Sequence, residues 1–359
     1  MSIIKNILLH VLMGATVTLT ALMVLVGWSD RLNPVDHPIL ACAGMLYPFF
    51  LIANLVLLVV WIFVKWRRSW VSLAGLLLSY PATRTYIPLH LSSTPPQDCI
   101  KVISYNVDLY NLQECDNPQV AIYSYLEQQN ADIVCLQEDV SIKPDYLKEI
   151  AKIYPYNDTV HVTRPQLLSI NAVGIHSRYP ILKKERIWYE SEANGSAAFF
   201  LQVEDDTVLV VNNHFETTHL NMADRERYRN MINGDMNRGE AHAETRMLLG
   251  KLSTAMVKRA RQANAVHQYI ERHRRYPIIV CGDFNDTPIS YVRRTVAQGL
   301  TDCYVESGNG LGISYNQKGF YFRIDEIMCS DHFVPYNCHV DNKIKASDHF
   351  PIICWLKWK

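Results

Sequence analysis

Long hydrophobic runs occupy the first quarter of the chain and give way to a different pattern near residue 92. Ile7–Trp28 and Pro38–Val64 are almost uninterrupted apolar runs, each long enough to cross a bilayer as a helix. A third run, Ser69–His90, is broken by Pro81 and Arg84. We expect two or three transmembrane helices here and favour three. A signal peptide is the alternative for the first run, but that run has no clear small-residue cleavage site.

The second run ends in a basic cluster, Lys65-Trp66-Arg67-Arg68. Positive residues beside a membrane span mark its cytoplasmic side. With three spans the rest of the chain lies outside the cytoplasm, and with two it lies inside. We therefore predict an integral protein of the inner (cytoplasmic) membrane, held in the lipid bilayer by its N-terminal helices, with an extracytoplasmic C-terminal domain. A buried helical hairpin of a soluble protein is disfavoured because neither long run has a polar face.

From residue 99 onward, short apolar runs alternate with periodic or charged stretches, which predict strands and helices respectively. The expected strands are Ile100–Asn106, Ala131–Leu136, Asn171–His176, Ala197–Val203, Thr207–Asn212, Ile278–Cys281, Phe322–Cys329 and Phe350–Leu356, and the expected helices are Pro118–Gln129, Ala243–His273 and Ser290–Ala297. A polar, proline-containing stretch separates the two parts of the chain. The predicted organisation is a membrane anchor (1–91), a linker (92–98) and an α/β or α+β domain (99–359).

Composition narrows the classes of function. The chain has 35 basic and 35 acidic residues, so no overall positive field favours nucleic acid. Its nine cysteines form no CxxC pair, which argues against a zinc ribbon or a disulfide knot. A disulfide involving Cys99, Cys115, Cys303 or Cys338 stays open. We interpret the charged residues of the helical region 224–274 as a solvated helix face.

Polar side chains follow the apolar runs at the predicted strand ends. In the clearest case, Ile278–Cys281 leads into Gly282-Asp283-Phe284-Asn285, where the chain must turn. The polar residues at these strand ends are Asn106, Glu138, His214, Asp283, Asn285, Asp325, Asp348 and His349. Together they offer acidic oxygens, imidazoles and amides, which suit metal-assisted attack on a phosphate ester. Oxygen ligands without a His/Cys cluster favour Mg²⁺ or Mn²⁺ over zinc.

The blocks that carry these residues resemble, in the same order, those of the endonuclease/exonuclease/phosphatase superfamily, which is built on the fold of pancreatic deoxyribonuclease. The blocks are Ser104-Tyr105-Asn106, Leu136-Gln137-Glu138, Asn213-His214, Gly282-Asp283-Phe284-Asn285, Arg323-Ile324-Asp325 and Ser347-Asp348-His349. The resemblance covers residue 99 to the C-terminus and suggests a membrane-anchored, bacterial-type member. It implies a four-layer sandwich, with two mixed β-sheets face to face, helices outside, and one active site at the strand ends.

The resemblance also implies a role for each residue of the metal and base centres. Glu138 would be the principal ligand of the divalent metal, with Asn106 and Asp348 near the same ion or a second one. His349 would be the general base that takes a proton from the attacking water. Asp325 would orient the imidazole and stabilise its charged form.

Three further residues would act on the nucleophile and the phosphate. Asp283 would position the nucleophile, while Asn285 and His214 would donate hydrogen bonds to phosphoryl oxygens as negative charge builds. Asn171 is an additional candidate for the phosphate pocket. The residues that we assign to turns, packing or the surface are Asp286, His176, His219 and Arg178.

These observations predict a membrane-anchored, Mg²⁺-dependent phosphoesterase. Its substrate is expected to be a phosphodiester or phosphomonoester, namely a lipid head group, an inositol phosphate or a nucleic acid, and no protein partner can be inferred. Because the short linker keeps the domain close to the bilayer, we favour a membrane-associated substrate. The alternatives are a DNA or RNA endonuclease or exonuclease of the same fold, and an inactive, membrane-tethered binding module.

Overall fold

The fold was analysed in a computed structural model of the chain. It describes residues 2–91, 93–112, 114–140, 143–163, 171–218, 222–233, 235, 237–317 and 320–359. His219 lies outside the described residues.

The predicted membrane anchor, residues 1–91, is called the anchor below, and its described part is a group of helices joined by tight turns. Its helices are α1 (Ser2–Gly27), α2 (Pro38–Ala41), α3 (Tyr47–Lys65), α4 (Trp70–Leu78) and α5 (Tyr80–Tyr86). Within the described residues, two helical segments, Ile3–Arg31 and Pro38–Arg68, are long and apolar enough to cross a membrane. The third predicted span forms two short helices, α4 and α5, because the chain breaks at Ser79 ahead of Pro81.

Three helical segments of the anchor, α1, α3 and α4–α5, lie side by side. The Arg68 guanidinium donates to the Leu9 carbonyl (2.8 Å) at one end of the group, and the Tyr47 hydroxyl donates to the Ser79 carbonyl (3.2 Å) at the other. Between these ends, a Cβ on Gly75 of α4 would lie 2.2 Å from Thr20 of α1. The α4–α5 pair therefore runs alongside α1 over the depth from Leu9 to Gly27.

The C-terminal domain contains fourteen strands within the described residues, and they form two large sheets and one small one. The strands are β1 (Cys99–Asn106), β2 (Ile133–Gln137), β3 (Tyr156–His161), β4 (Ala172–Ser177), β5 (Ile181–Ile187), β6 (Gly195–Val203), β7 (Asp206–His214), β8 (Ile278–Asp283), β9 (Thr301–Asp302), β10 (Tyr315–Gln317), β11 (Phe320–Phe322), β12 (Asp325–Cys329), β13 (Phe333–Val340) and β14 (Ile352–Trp358). One mixed sheet has the order β13-β14-β1-β2-β4-β3, the other β5-β6-β7-β8-β12-β9, and β10 pairs with β11.

Helices cover the outer faces of both sheets. The helices of this domain are α6 (Pro118–Gln129), α7 (Pro144–Ile153), α8 (Met222–Asn233), α9 (Arg238–Arg272), α10 (Tyr291–Val296) and α11 (Cys303–Ser307). The central core joins the inner faces of the two sheets: Ile133 of β2 shares one buried cluster with Phe199 and Val210 of the other sheet. The outer cores place α6 and α7 on one sheet and α9 and α10 on the other. The predicted four-layer sandwich is confirmed.

Several predicted elements differ from those in the structure. The predicted strand Phe322–Cys329 is divided into β11 and β12, because the chain turns at Arg323 to reach carbonyls of Tyr86 and Leu311. The predicted helix Ala243–His273 begins earlier, at Arg238, where Asn237 and Glu240 form a capping box. Strands β3, β5 and β13 are not predicted. All three lie at sheet edges, where one side of the strand has no neighbour among the described residues and the apolar pattern is weaker.

All nine cysteines are free thiols. Cys135, Cys281 and Cys354 are fully buried in their strands. The disulfide that the sequence leaves open is not formed.

The anchor packs against the sandwich through close contacts. A Cβ on Gly44 would lie 2.0 Å from the Ile289 carbonyl oxygen, so the backbones touch there. Cys42 packs on Met256 of α9. Ion pairs join Asp30 to Arg294 (3.4 Å) and Arg84 to Glu306 (2.7 Å). The anchor therefore forms one side of the region around the strand ends described next.

Candidate active site

The predicted site residues meet at one edge of the sandwich. β1 and β2 are parallel, with Asn106 beside Gln137 in register, and Glu138 follows directly. In the other sheet β7 and β8 are parallel, with His214 beside Asp283. Because parallel strands end at the same edge, each sheet delivers its polar side chains to one place.

Asn106 connects the two sheets. Its Nδ2 donates to Oδ2 of Asp283 (3.0 Å) and to Oε1 of Glu138 (3.3 Å). The six residues Asn106, Glu138, Asp283, Asn285, Asp348 and His349 line one pocket of about 360 Å³. His214 and Asp325 lie directly behind it. The structure therefore brings together all eight side chains.

His349 and Asp325 form a buried pair. Nδ1 of His349 lies 2.8 Å from Oδ2 of Asp325, and its Nε2 lies 3.7 Å from Oδ2 of Asp283. Burial lowers the pKa of His349, but the carboxylates of Asp325 and Asp283 outweigh it and hold that pKa well above its ordinary value. The ring is thus fixed by one nitrogen, while the other faces the pocket and can exchange a proton.

Asp283 is placed by a backbone that only glycine allows. Gly282 has φ +143, and a Cβ there would lie 2.0 Å from the Asn213 carbonyl oxygen. The Asn285 backbone N–H donates to Oδ1 of Asp283 (2.8 Å), and its side-chain amide donates to Oδ2 (3.1 Å). Burial raises the pKa of Asp283 to about 6, with the Asp325 carboxylate adding to the effect and the His349 imidazole opposing it.

Glu138 and Asp348 supply oxygen donors that suit a hard cation. Glu138 adopts a left-handed backbone (φ 53) directly after β2, which turns its carboxylate toward the pocket. Burial raises the pKa of Glu138, and the carboxylate of Asp348 raises it further. Two nearby acids with no cation between them repel each other, and a divalent ion would relieve this repulsion. The donor set therefore fits a divalent metal.

A second group of potential metal ligands lies in the same site. Ligand atoms of Asp283, Asp325 and His349 all lie within 4.8 Å of one another. However, Asp325 is fully buried and already accepts the hydrogen bond from His349. This group is better suited to acid–base chemistry.

His214 supplies an unused donor. It is almost completely buried, and neither ring nitrogen has a hydrogen-bond partner among the described residues. Its Nε2 lies 3.6 Å from Oε1 of Glu138 and 3.8 Å from Oδ2 of Asp283. Burial lowers the pKa of His214, so the neutral ring is favoured. A neutral imidazole can donate one hydrogen bond to a phosphate oxygen.

The comparison with protein families agrees with this geometry. A family model described as the endonuclease/exonuclease/phosphatase family matches residues 103–349. The chain belongs to this family. Its members are metal-dependent hydrolases that act on ester bonds, and so is this chain. A second model, described only as a domain of unknown function, matches residues 9–86.

Solved structures of the endonuclease/exonuclease/phosphatase fold align with the sandwich. A family protein from Bacteroides thetaiotaomicron has a TM-score of 0.51 at 18% identity, over 74% of this chain and 100% of that one. A family protein from Bacteroides vulgatus (TM-score 0.50, 15% identity) and D. rerio TDP2 complexed with a single-strand DNA product (TM-score 0.50, 16% identity) each align over 73% of this chain and 100% of theirs. At these identities the likeness shows the fold. No curated protein matches the sequence significantly.

The sequence analysis did not predict a pair of buried amide side chains that lies next to this endonuclease/exonuclease/phosphatase site. Nε2 of Gln137 donates to Oδ1 of Asn212 (2.7 Å) across the two sheets. Nδ2 of Asn212 donates to the carbonyls of Leu136 (2.9 Å) and Gly174 (2.8 Å). These fully buried amides fix the ends of β2 and β7, which are followed by or carry the site residues Glu138 and His214. An amide inside an otherwise apolar strand run is the signal that could have revealed them.

The interpretation of the helical region 224–274 as a solvated face is wrong for Arg259. This residue is buried in α9 and lines the site pocket. Its Nη1 donates to the Glu216 carbonyl (3.1 Å), and its Nε pairs with Asp286 (3.4 Å). Helical spacing places Arg259 on the same stripe as Ala263 and Val266, which are also buried. That stripe was the signal for its burial.

The remaining predicted residues lie where packing and turn chemistry put them. Asp286 accepts from the Thr287 backbone N–H (2.9 Å), as expected of a turn residue. His176 is buried behind the site and lies 3.2 Å from Asp139. Asn171 donates to the Ala193 carbonyl and is not a lining residue of the site pocket, so its candidacy for the phosphate pocket is not supported.

Proposed function

We propose that this chain is a membrane-anchored phosphoesterase that uses Mg²⁺ or Mn²⁺ and has His349 as its general base. The observation that carries the proposal is the orientation of His349. Asp325 holds one ring nitrogen at 2.8 Å, and the ring lines a pocket that also contains acidic and amide side chains. A buried carboxylate that fixes the tautomer and stabilises imidazolium is the arrangement that such a base requires.

Glu138, Asp348 and Asn106 would hold the divalent cation. When bound, the cation neutralises charge on the phosphoryl group and lowers the barrier by several kcal/mol, on the order of other metal-assisted hydrolases. The repulsion between the Glu138 and Asp348 carboxylates supports this assignment. The choice of Mg²⁺ or Mn²⁺ rests on the all-oxygen donor set.

The remaining residues perform the proton transfer and stabilise charge. Nε2 of His349 accepts a proton from water as the water oxygen bonds to phosphorus and the bond to the leaving oxygen breaks. Asp283, 3.7 Å from that nitrogen, orients the water. His214 and Asn285 donate hydrogen bonds to the phosphoryl oxygens, where negative charge increases in the transition state.

The proposed function is tested by metal removal. Full-length protein in lipid nanodiscs should hydrolyse bis(p-nitrophenyl) phosphate with Mg²⁺, and EDTA should lower the rate roughly 100-fold. Added Mg²⁺ or Mn²⁺ should restore it. A rate that survives EDTA, or no turnover under any metal, would contradict the proposal, and the second result would favour an inactive binding module. Plasmid DNA serves as a parallel substrate for the alternative nuclease function.

We further propose that the catalytic domain lies outside the cytoplasm. The three passes of α1, α3 and α4–α5 place Lys65, Arg67 and Arg68 at the end of the anchor away from the sandwich, which docks near Asp30 and Gly44. Basic residues favour the cytoplasmic side of a membrane.

This topology is tested with reporters. Alkaline phosphatase, which is active only outside the cytoplasm, should be active when fused after Lys359 and inactive when fused after Arg68. β-Galactosidase at the same two positions should give the opposite pattern. Cytoplasmic reporter activity at the C-terminus would show that the chain crosses the membrane twice.

A further inference from the structure

An apolar groove joins the membrane anchor to the active site. It has a volume of about 630 Å³. One wall is formed by residues 38–49, and the opposite wall by α9 and the loop that follows α11. The anchor side chains in this wall include Ile39, Leu40, Cys42, Met45, Leu46 and Phe49.

The groove adjoins the site pocket. Four side chains line both cavities: Met45, Tyr228, Leu252 and Phe322. Met45 comes from the anchor, whereas the other three come from the catalytic domain. The two cavities therefore meet at apolar side chains between the second candidate membrane span and the pocket that holds Glu138 and His349.

The outer end of the groove faces the region that the bilayer would occupy. Ile39, Leu40 and Phe49 are 62%, 58% and 66% exposed, and all three lie in the candidate span Pro38–Arg68. Exposed apolar side chains on a membrane-spanning segment contact lipid tails. A molecule that enters the groove from this end therefore comes from the bilayer.

The lining does not suit a nucleic acid backbone. Among the described lining residues, Arg323 is the one charged side chain. Its Nη1 donates to the carbonyls of Tyr86 (3.3 Å) and Leu311 (3.2 Å), and its guanidinium lies 4.3 Å above the Tyr304 ring. A groove that tracks phosphates needs several available cations. This groove offers none, and its apolar walls match hydrocarbon.

We propose that this groove holds an acyl chain of a lipid phosphoester whose phosphate lies in the active site. The proposal rests on the proposed phosphoesterase function and deepens it by naming the substrate class. Burial of the acyl chain draws the phosphate toward Glu138 and His349, and the anchor becomes part of the substrate site. Each buried methylene contributes about 0.8 kcal/mol to binding, or roughly a fourfold gain in affinity.

The test compares chain lengths at a constant head group. Full-length protein is assayed with Mg²⁺ on dioleoyl- and dihexanoyl-phosphatidylglycerol, the former in vesicles with phosphatidylcholine and the latter below its micellar concentration. We expect kcat/KM to be at least roughly tenfold higher for the long-chain ester. Leu249→Arg, which places a charge in the outer groove, should lower this long-to-short ratio by about tenfold or more.

A matched variant controls for surface effects. Leu182→Arg changes an exposed leucine (54% exposed) on β5, and the long-to-short ratio should not change. An unchanged ratio in Leu249→Arg, or equal rates on both esters in the wild type, would overturn the proposal. Efficient cleavage of single-stranded or plasmid DNA without lipid turnover would also overturn it. Bis(p-nitrophenyl) phosphate distinguishes failure of the lipid site from failure of the phosphoesterase function. If this compound is hydrolysed but the long-chain lipid is not preferred, only the lipid site is refuted. If it is not hydrolysed, the phosphoesterase function is refuted.

Discussion

His349→Ala lowers kcat/KM on bis(p-nitrophenyl) phosphate by roughly 10³-fold, if the imidazole removes the proton from the attacking water. The hydrogen bond from Nδ1 to Asp325 holds the ring, and no other described histidine lines the pocket. The change is measured by steady-state kinetics at saturating Mg²⁺. Added imidazole should restore part of the lost rate, because the variant leaves room for a small base in the pocket.

Two comparisons separate chemistry from folding in this variant. His242→Ala, on the exposed surface of α9, should keep wild-type kinetics. The loss of its partner leaves Asp325 as a buried acid, so His349→Ala should also unfold at a lower temperature. A variant that stays within about tenfold of wild type would exclude His349 as the base. A slow variant that imidazole cannot rescue would assign the histidine to structure instead.

Glu138→Gln raises the Kd for Mg²⁺ by roughly 100-fold and lowers kcat/KM at fixed Mg²⁺ by about 10³-fold. The substitution keeps the size of the side chain and its hydrogen bond with Asn106 but removes the charge that attracts the cation. Isothermal titration calorimetry gives the affinity, and a Mg²⁺ titration of the rate shows whether excess metal recovers activity. Recovery at high Mg²⁺ would indicate that Glu138 acts mainly through metal binding.

Glu127→Gln is the matched control for this experiment. Glu127 is exposed on α6 and does not line the site pocket, so neither the Mg²⁺ affinity nor the rate should change. Equal Mg²⁺ affinity in wild type and Glu138→Gln would contradict the assignment of Glu138 as principal ligand. In that case Asp348 and Asp283 become the acids to test next.

Local patterns predict much of the sandwich and of its site. The expected helix Pro118–Gln129 coincides with α6, and the expected strand Ile100–Asn106 differs from β1 by one residue. Both are predictable because their apolar spacing and their turn residues agree. The polar residues after each strand gather because parallel strands end at one edge, so the position of Asp283 beside His214 follows from topology.

The partners of residues that pack between distant segments are not predictable from the sequence. The helical stripe of α9 indicates that Arg259 is buried, but its pairing with Asp286 and the Glu216 carbonyl joins segments that no local spacing connects. The amide pair Gln137–Asn212 joins two sheets, so its two residues are far apart in the sequence and form no local pattern. The groove wall formed by residues 38–49 is also hidden, since an apolar run that contacts lipid and one that contacts another domain have the same composition.

The contact between Gly44 and the Ile289 carbonyl means that the anchor is a structural part of the catalytic unit. A fragment beginning at residue 99 would uncover Met256 and Ile289, which are 2% and 3% exposed in the intact chain. We expect such a truncated protein to self-associate through these apolar side chains. Without Met45 the truncated protein would also lack one wall of the groove and of the site pocket. Its rates would then report bond cleavage, but its selectivity among substrates would differ from that of the whole enzyme.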